Sequence, residues 1–135
     1  MIHHGACHCG AVRVELETEH QLGVRADGCS FCAGRGVRSA SDPDGALRIR
    51  ADHRLTRYRF GHRTADFLIC ATCGTYVAAV MDSVRGPVGV VNVAGTAMAA
   101  LRDLDPEWKD FDGEGEAERI ARRLTRWTPT TVIEG

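Results

Sequence analysis

All six cysteines of this 135-residue chain fall into three close pairs. They are Cys7 and Cys9, followed by Gly10; Cys29 and Cys32, separated by Ser30 and Phe31; and Cys70 and Cys73, followed by Gly74. Thiols two or three residues apart, with a glycine behind them, form tight turns that aim both sulfurs at one cation and turn backbone N–H groups toward the sulfurs. That is a zinc-binding pattern. A closed tetrahedral site takes four ligands, so one such site leaves one pair over, and the leftover pair is where reactive chemistry belongs. Spacing alone does not say which two pairs share an ion, and several disulfide pairings also remain formally open.

The elements that must position these pairs read mainly as strands. Residues 11–17 alternate Val12, Val14 and Leu16 with Arg13, Glu15 and Glu17, the period-two signature of a strand with one buried face. Residues 24–27 lead into the second pair, and the run Gly34, Arg35, Gly36 after it is loop. Residues 46–51 and 55–60 predict two further strands around a turn at Asp52 and His53. The third cysteine pair falls between residues 64–69 and 75–81 and is expected at the tip of a hairpin. Residues 88–93 form a β-branched strand stopped by Gly95. Beyond this, residues 103–118 carry eight acidic residues against the single Lys109, which predicts a solvated loop. Ala117, Ile120, Ala121 and Leu124, followed by Trp127, then recur at helical spacing, predicting a short helix over residues 114–126. Acids at its start and arginines near its end suit the helix dipole.

The length suits a single domain over residues 1–135, with a motif-bearing core at about 4–97 and an acidic loop and helix at 98–135. A net charge of -1 gives no global field to draw in nucleic acid or an anionic membrane. No stretch has the length and hydropathy of a membrane span, and the first residues do not have the form of a leader. Closely spaced thiols fit a reducing, cytoplasmic location, where metal binding explains them better than disulfides.

The ordered set Gly5, Cys7, Cys9, Gly10 and Val12, then Cys29, Ser30 and Cys32, then Cys70, Cys73 and Gly74, and finally residues 92–96 (Asn-Val-Ala-Gly-Thr), resembles the glutathione-dependent formaldehyde-activating enzyme family, also called the centromere-protein-V-like family. The resemblance implies a folded antiparallel sheet of the Mss4-like, or β-tent, type. It implies that Cys7, Cys9, Cys70 and Cys73 close a structural zinc site. In the family a C-x-C-S-x-C triplet binds a second zinc with one open position; here its last two cysteines are Cys29 and Cys32, and its first falls on Asp27. A carboxylate is an acceptable zinc ligand with the charge of the thiolate it replaces, and it is harder, so the ion is held more loosely. The implied activity is reversible joining of glutathione, or another low-molecular-weight thiol, to formaldehyde, a carbon–sulfur lyase-type reaction in the reverse sense.

Arg35 and Arg38, just after the second pair, are candidates to hold carboxylates of the thiol substrate. Arg48, Arg50, Arg57, Arg59 and Arg63 with His53 and His62 make the most basic stretch, but few aromatic residues accompany it, so a solvated or ion-paired face is expected rather than a nucleic-acid surface. His8 alternates with its flanking cysteines and should point away from their ion, and His3 and His4 read as a mobile terminus. Two rivals to the enzyme are a non-catalytic, zinc-stabilised binding module that has lost the second metal, and a redox enzyme like the methionine sulfoxide reductases with Cys29 or Cys32 reactive. The second lacks that family's catalytic motif.

Overall fold

A computed structural model describes all 135 residues. In chain order the first strands are β1 (Ile2–Ala6), β2 (Val12–Glu17) and β3 (Arg25–Asp27), followed by the one-turn helix α1 (Ser30–Ala33). Next come β4 (Arg38–Ala40), β5 (Ala46–Ala51), β6 (Thr56–Tyr58), β7 (Asp66–Ile69), β8 (Tyr76–Met81) and β9 (Val88–Asn92). The chain closes with β10 (Glu107–Lys109), α2 (Glu116–Arg126) and β11 (Thr128–Glu134). The domain is mainly β with one C-terminal helix of more than a turn, as the patterning and the resemblance imply.

The strands form a split sheet. One half runs β1-β2-β5-β11, and the other carries β6, β7 and β8 onto one edge of β9. The opposite edge of β9 is shared: β11 pairs with Val88 and Gly89, while β4 pairs with Val91 and Asn92 and leads on to β3 and β10. Two strands branching from one edge fold the sheet over on itself. Gly89 marks the branch, because a Cβ there would sit 2.7 Å from Thr130 Oγ1 and 2.9 Å from the Ala79 carbonyl oxygen. The strand pairings are not all alike: β11 runs parallel to β5 and β10 parallel to β3, so the sheet is mixed rather than antiparallel throughout.

Three segments depart from the sequence reading. The His3-His4 terminus is strand β1, paired with β2 from Ile2 opposite Glu17 to Ala6 opposite Arg13. The acidic segment read as loop contains β10, and the residues after the helix form β11, which joins the two halves of the sheet. For β10 and β11 partner strands distant in sequence supply the order that local composition does not, and for β1 the next strand along does so.

The strands β8 and β9 are buried on both faces, which explains their nearly unbroken apolar runs. On one face Val77, Ala78, Val91 and Val93 pack with Val12, Val14, Leu16, Leu47 and Ile49, and this cluster includes Cys7 and Cys70. On the other, Ala79, Met81, Val88 and Val90 pack with Phe31, Phe67, Tyr76 and Trp127, and this cluster includes Cys32. The central strands therefore separate one cysteine environment from the other.

Candidate metal centre and cavity

The turn between β1 and β2 and the turn between β7 and β8 bring the first and third cysteine pairs together. Cys9 Sγ lies 3.7 Å from both Cys7 Sγ and Cys70 Sγ, and all four sulfurs lie within 4.8 Å of one another. Zn–S bonds of about 2.3 Å set tetrahedral sulfur–sulfur edges of about 3.8 Å, so the donor set fits zinc. Each turn also directs N–H groups at sulfur: Val12 N donates to Cys7 Sγ at 3.3 Å and Cys73 N to Cys70 Sγ at 3.5 Å. Gly10 and Gly74 close the two turns at φ 83 and 79, a conformation that side chains disfavour. The Thr75 hydroxyl, followed by backbone N–H groups, pulls the Cys73 thiol down to about 5. Four adjoining sulfurs cannot all ionise without a cation among them.

His53 was read as part of a turn and of the basic stretch, yet its Nε2 lies 3.5 Å from Cys70 Sγ. His8 is exposed and is not among the converging donors, in keeping with its alternation between the two cysteines.

The middle pair lies elsewhere. Asp27, Cys29 and Cys32 line a cavity of about 80 Å³ on the far side of β8 and β9. Cys29 caps α1, its Sγ accepting the Cys32 N–H at 3.3 Å. A hydrogen bond from the Cys32 thiol, with the N–H groups of Cys32 and Phe31, lowers Cys29 to about 6 against the opposing effect of burial. Its partner Cys32 moves the other way, raised by Cys29 and then by burial, so the two share one proton. Asp27 Oδ2 accepts the Ser39 hydroxyl at 3.0 Å, while Asp27 Oδ1 is buried with no partner. Unlike the four-sulfur cluster, the Asp27, Cys29 and Cys32 donors do not all lie within 4.8 Å of one another.

The cavity has an aromatic floor of Phe60, Phe67 and Tyr76; Phe60 stacks on Phe31 of α1, and Phe67 and Tyr76 meet the same ring edge-on. Its remaining wall is cationic and comes mostly from α2. Arg119, Arg122 and Arg123 face it together with Arg25 of β3. Arg122 forks onto Glu114 at 2.8 and 3.0 Å and lies 3.6 Å over the Phe111 ring. The Arg119 guanidinium joins the same carboxylate at 3.3 Å. Arg123 is only 6% exposed; its Nη1 donates to Thr64 Oγ1 at 2.7 Å and its guanidinium sits 4.6 Å over Trp127. Burial, then the neighbouring Arg122 and Arg119, lower its pKa to about 10.

Neither Arg35 nor Arg38 lines this cavity. Arg35 is exposed, with its guanidinium 3.9 Å over Phe31, and Arg38 is held on β4, its backbone N–H donating to Asn92 Oδ1 at 3.3 Å. Three of the arginines that do line it share one helical face, positions 119, 122 and 123 recurring at three-and-four spacing, but sequence alone marks arginines there only as suiting the helix dipole. The basic stretch around β5 and β6 is ion-paired at Arg48, Arg57 and Arg59 with Glu15, Glu17, Asp66 and Glu134.

A folded mainly β domain with a four-cysteine cage and a separate thiol-lined cavity defines a class of small proteins that could bind zinc. Residues 2–113 match the family described as glutathione-dependent formaldehyde-activating enzyme, and the chain belongs to that family. It is also similar to a Rhodobacter sphaeroides protein of known crystal structure, at 38% identity and a TM-score of 0.62, over 78% of this chain and 99% of that one. The family-matched stretch ends before Glu114, so α2 and Trp127 lie outside it. No helix is long and apolar enough to cross a membrane.

Proposed function

We propose that this chain is a cytoplasmic, zinc-dependent carbon–sulfur lyase-type enzyme that handles thiol–aldehyde adducts of the S-hydroxymethylglutathione kind. In this reading Cys7, Cys9, Cys70 and Cys73 hold a structural zinc. Asp27, Cys29 and Cys32 hold a second one, open to a low-molecular-weight thiol such as glutathione. The observation that carries it is the buried, unpartnered Asp27 Oδ1 beside the Cys29–Cys32 dithiol. A buried carboxylate oxygen with no donor is costly, and a cation is the partner it lacks.

Zinc bound there would favour loss of the proton from a substrate thiol near neutral pH and fix the sulfur for attack on a carbonyl carbon. The protein's own part is placement and exclusion of water. Ser39 fixes one oxygen of Asp27 and leaves the other free, and the turn of α1 holds Cys29 beside Cys32. The aromatic floor shields the reacting end of the adduct from bulk water.

The separation of the three donors favours a second reading, a binding module stabilised by the first zinc alone. Metal analysis decides between them. Protein purified without chelator should carry two zinc ions per chain, falling to one in Asp27→Ala while the thermal melt stays cooperative. One zinc in the parent protein after soaking in excess zinc selects the module.

A further inference from the structure

We infer that Arg123 and Arg25 form a carboxylate-binding site in the inner wall of the cavity, so that the adduct handled here carries a carboxylate close to its reacting carbon–sulfur centre. This deepens the proposed function by naming its substrate class, and it rests on that reading only for the chemistry at sulfur.

Four guanidinium groups face the cavity, but they are not equivalent. Arg119 and Arg122 already share the Glu114 carboxylate. Arg123 makes no ion pair: its partners are the Thr64 hydroxyl and, at 4.0 Å, the Met81 sulfur, and its Nε is buried with no acceptor at all. Arg25 likewise has no carboxylate partner and donates only to Ser41 Oγ at 3.3 Å. A buried cation without a counterion is strongly disfavoured unless something else supplies the negative charge. Two acids also line the cavity. Asp27 sits at the dithiol end, tied to Ser39, and Asp112 is exposed on the loop before α2, and neither forms an ion pair with Arg123 or Arg25.

Shape narrows the ligand further. A space of about 80 Å³ encloses only a few non-hydrogen atoms, so it takes the reacting end of an adduct and leaves the remainder of a longer thiol outside it. A carboxylate carried close to the sulfur or the carbonyl carbon would share this small cavity with the dithiol and fork onto the Arg123 guanidinium as carboxylates prefer. The rings of Trp127 and Phe111, each stacked under an arginine, hold the wall in place. Arg25 lies within the family-matched residues, while Arg123 and the Trp127 ring beneath it lie beyond them, so the C-terminal segment supplies one half of the site.

The carboxylate could belong to the thiol or to the aldehyde, and calorimetric titration of the zinc-replete protein separates the two. The thiol arm compares 3-mercaptopropionate with 2-mercaptoethanol; the aldehyde arm compares glyoxylate with glycolaldehyde. In at least one arm the charged member should bind about tenfold or more tightly, and Arg123→Met should abolish that preference while leaving the uncharged member unaffected. If Arg123→Met fails to fold by circular dichroism, Arg25→Met is read in the same way. No preference in either arm, or a preference that survives both substitutions, overturns the inference. Asp27→Ala should keep the preference even with its second zinc lost, so failure of the metal reading and failure of the carboxylate site give different results.

Discussion

Asn92 shows what a single side chain in this fold can hold together. Its amide donates to the Tyr76 carbonyl at 2.9 Å, and its Oδ1 accepts the N–H groups of Gly95 and Arg38 at 3.2 and 3.3 Å. It thereby ties β8, β4 and the turn after β9 at the point where the sheet branches. The run from Asn92 to Thr96 contributed to the family resemblance, and its role is architectural: Thr96 Oγ1 closes the same turn on the Asn92 carbonyl at 2.7 Å. Asn92→Ala would strand three buried or half-buried backbone groups. It should destabilise the protein by about 2–3 kcal/mol, measured by urea unfolding, without changing the zinc content. At this scale the cysteine pairs were fully legible, because ligand spacing within a turn is a local property. Arg25, Arg123 and His53 were not, since their importance depends on what packs against them from distant parts of the chain.

Among the elements, α2 depends most visibly on charge. Glu114 lies just before its first turn and gathers Arg119 and Arg122, so one carboxylate fixes the helix start and the cationic wall together. The Arg122 hydrogen bond, aided by Arg119, holds the Glu114 carboxyl below its usual value of 4.5. A depressed folded-state pKa means stability that is complete above pH 4.5 and is lost as pH falls through the lower, folded value. Glu114→Gln should therefore be less stable than the parent by about 1–2 kcal/mol at pH 7, with the gap closing in acid. Thermal melts of both proteins across that range check the sign. The helix itself was legible from its spacing, as were β2, β5, β8 and β9 from alternation or apolar runs. The strands β1, β10 and β11 were hidden: histidines, acids and a Thr-Pro-Thr-Thr run have weak strand character until a neighbour completes their hydrogen bonds.

For the molecule as a whole, the four-cysteine cage links the β1–β2 turn in one half of the sheet to the β7–β8 turn in the other. Zinc in such a cage contributes on the order of 10 kcal/mol, comparable with the roughly 5–15 kcal/mol that holds an average domain folded. Chelation should therefore abolish the cooperative thermal transition followed by circular dichroism, and restoring zinc should recover it. Cys73→Ser should behave like the chelated protein. A protein that melts cooperatively and unchanged after chelation would show that the apolar clusters on either side of β8 and β9 suffice.

The strand joining the two halves follows both of its partner strands in sequence. The edges of β5 and β9 that receive β11 are made long before it during synthesis, and both must stay open until residues 128–134 arrive. Unpaired edges are sticky, and late, long-range closure is slow. Closure of the sheet thus waits for residues 128–134, so a chain interrupted before them would present a half-built sheet ready to capture its neighbours.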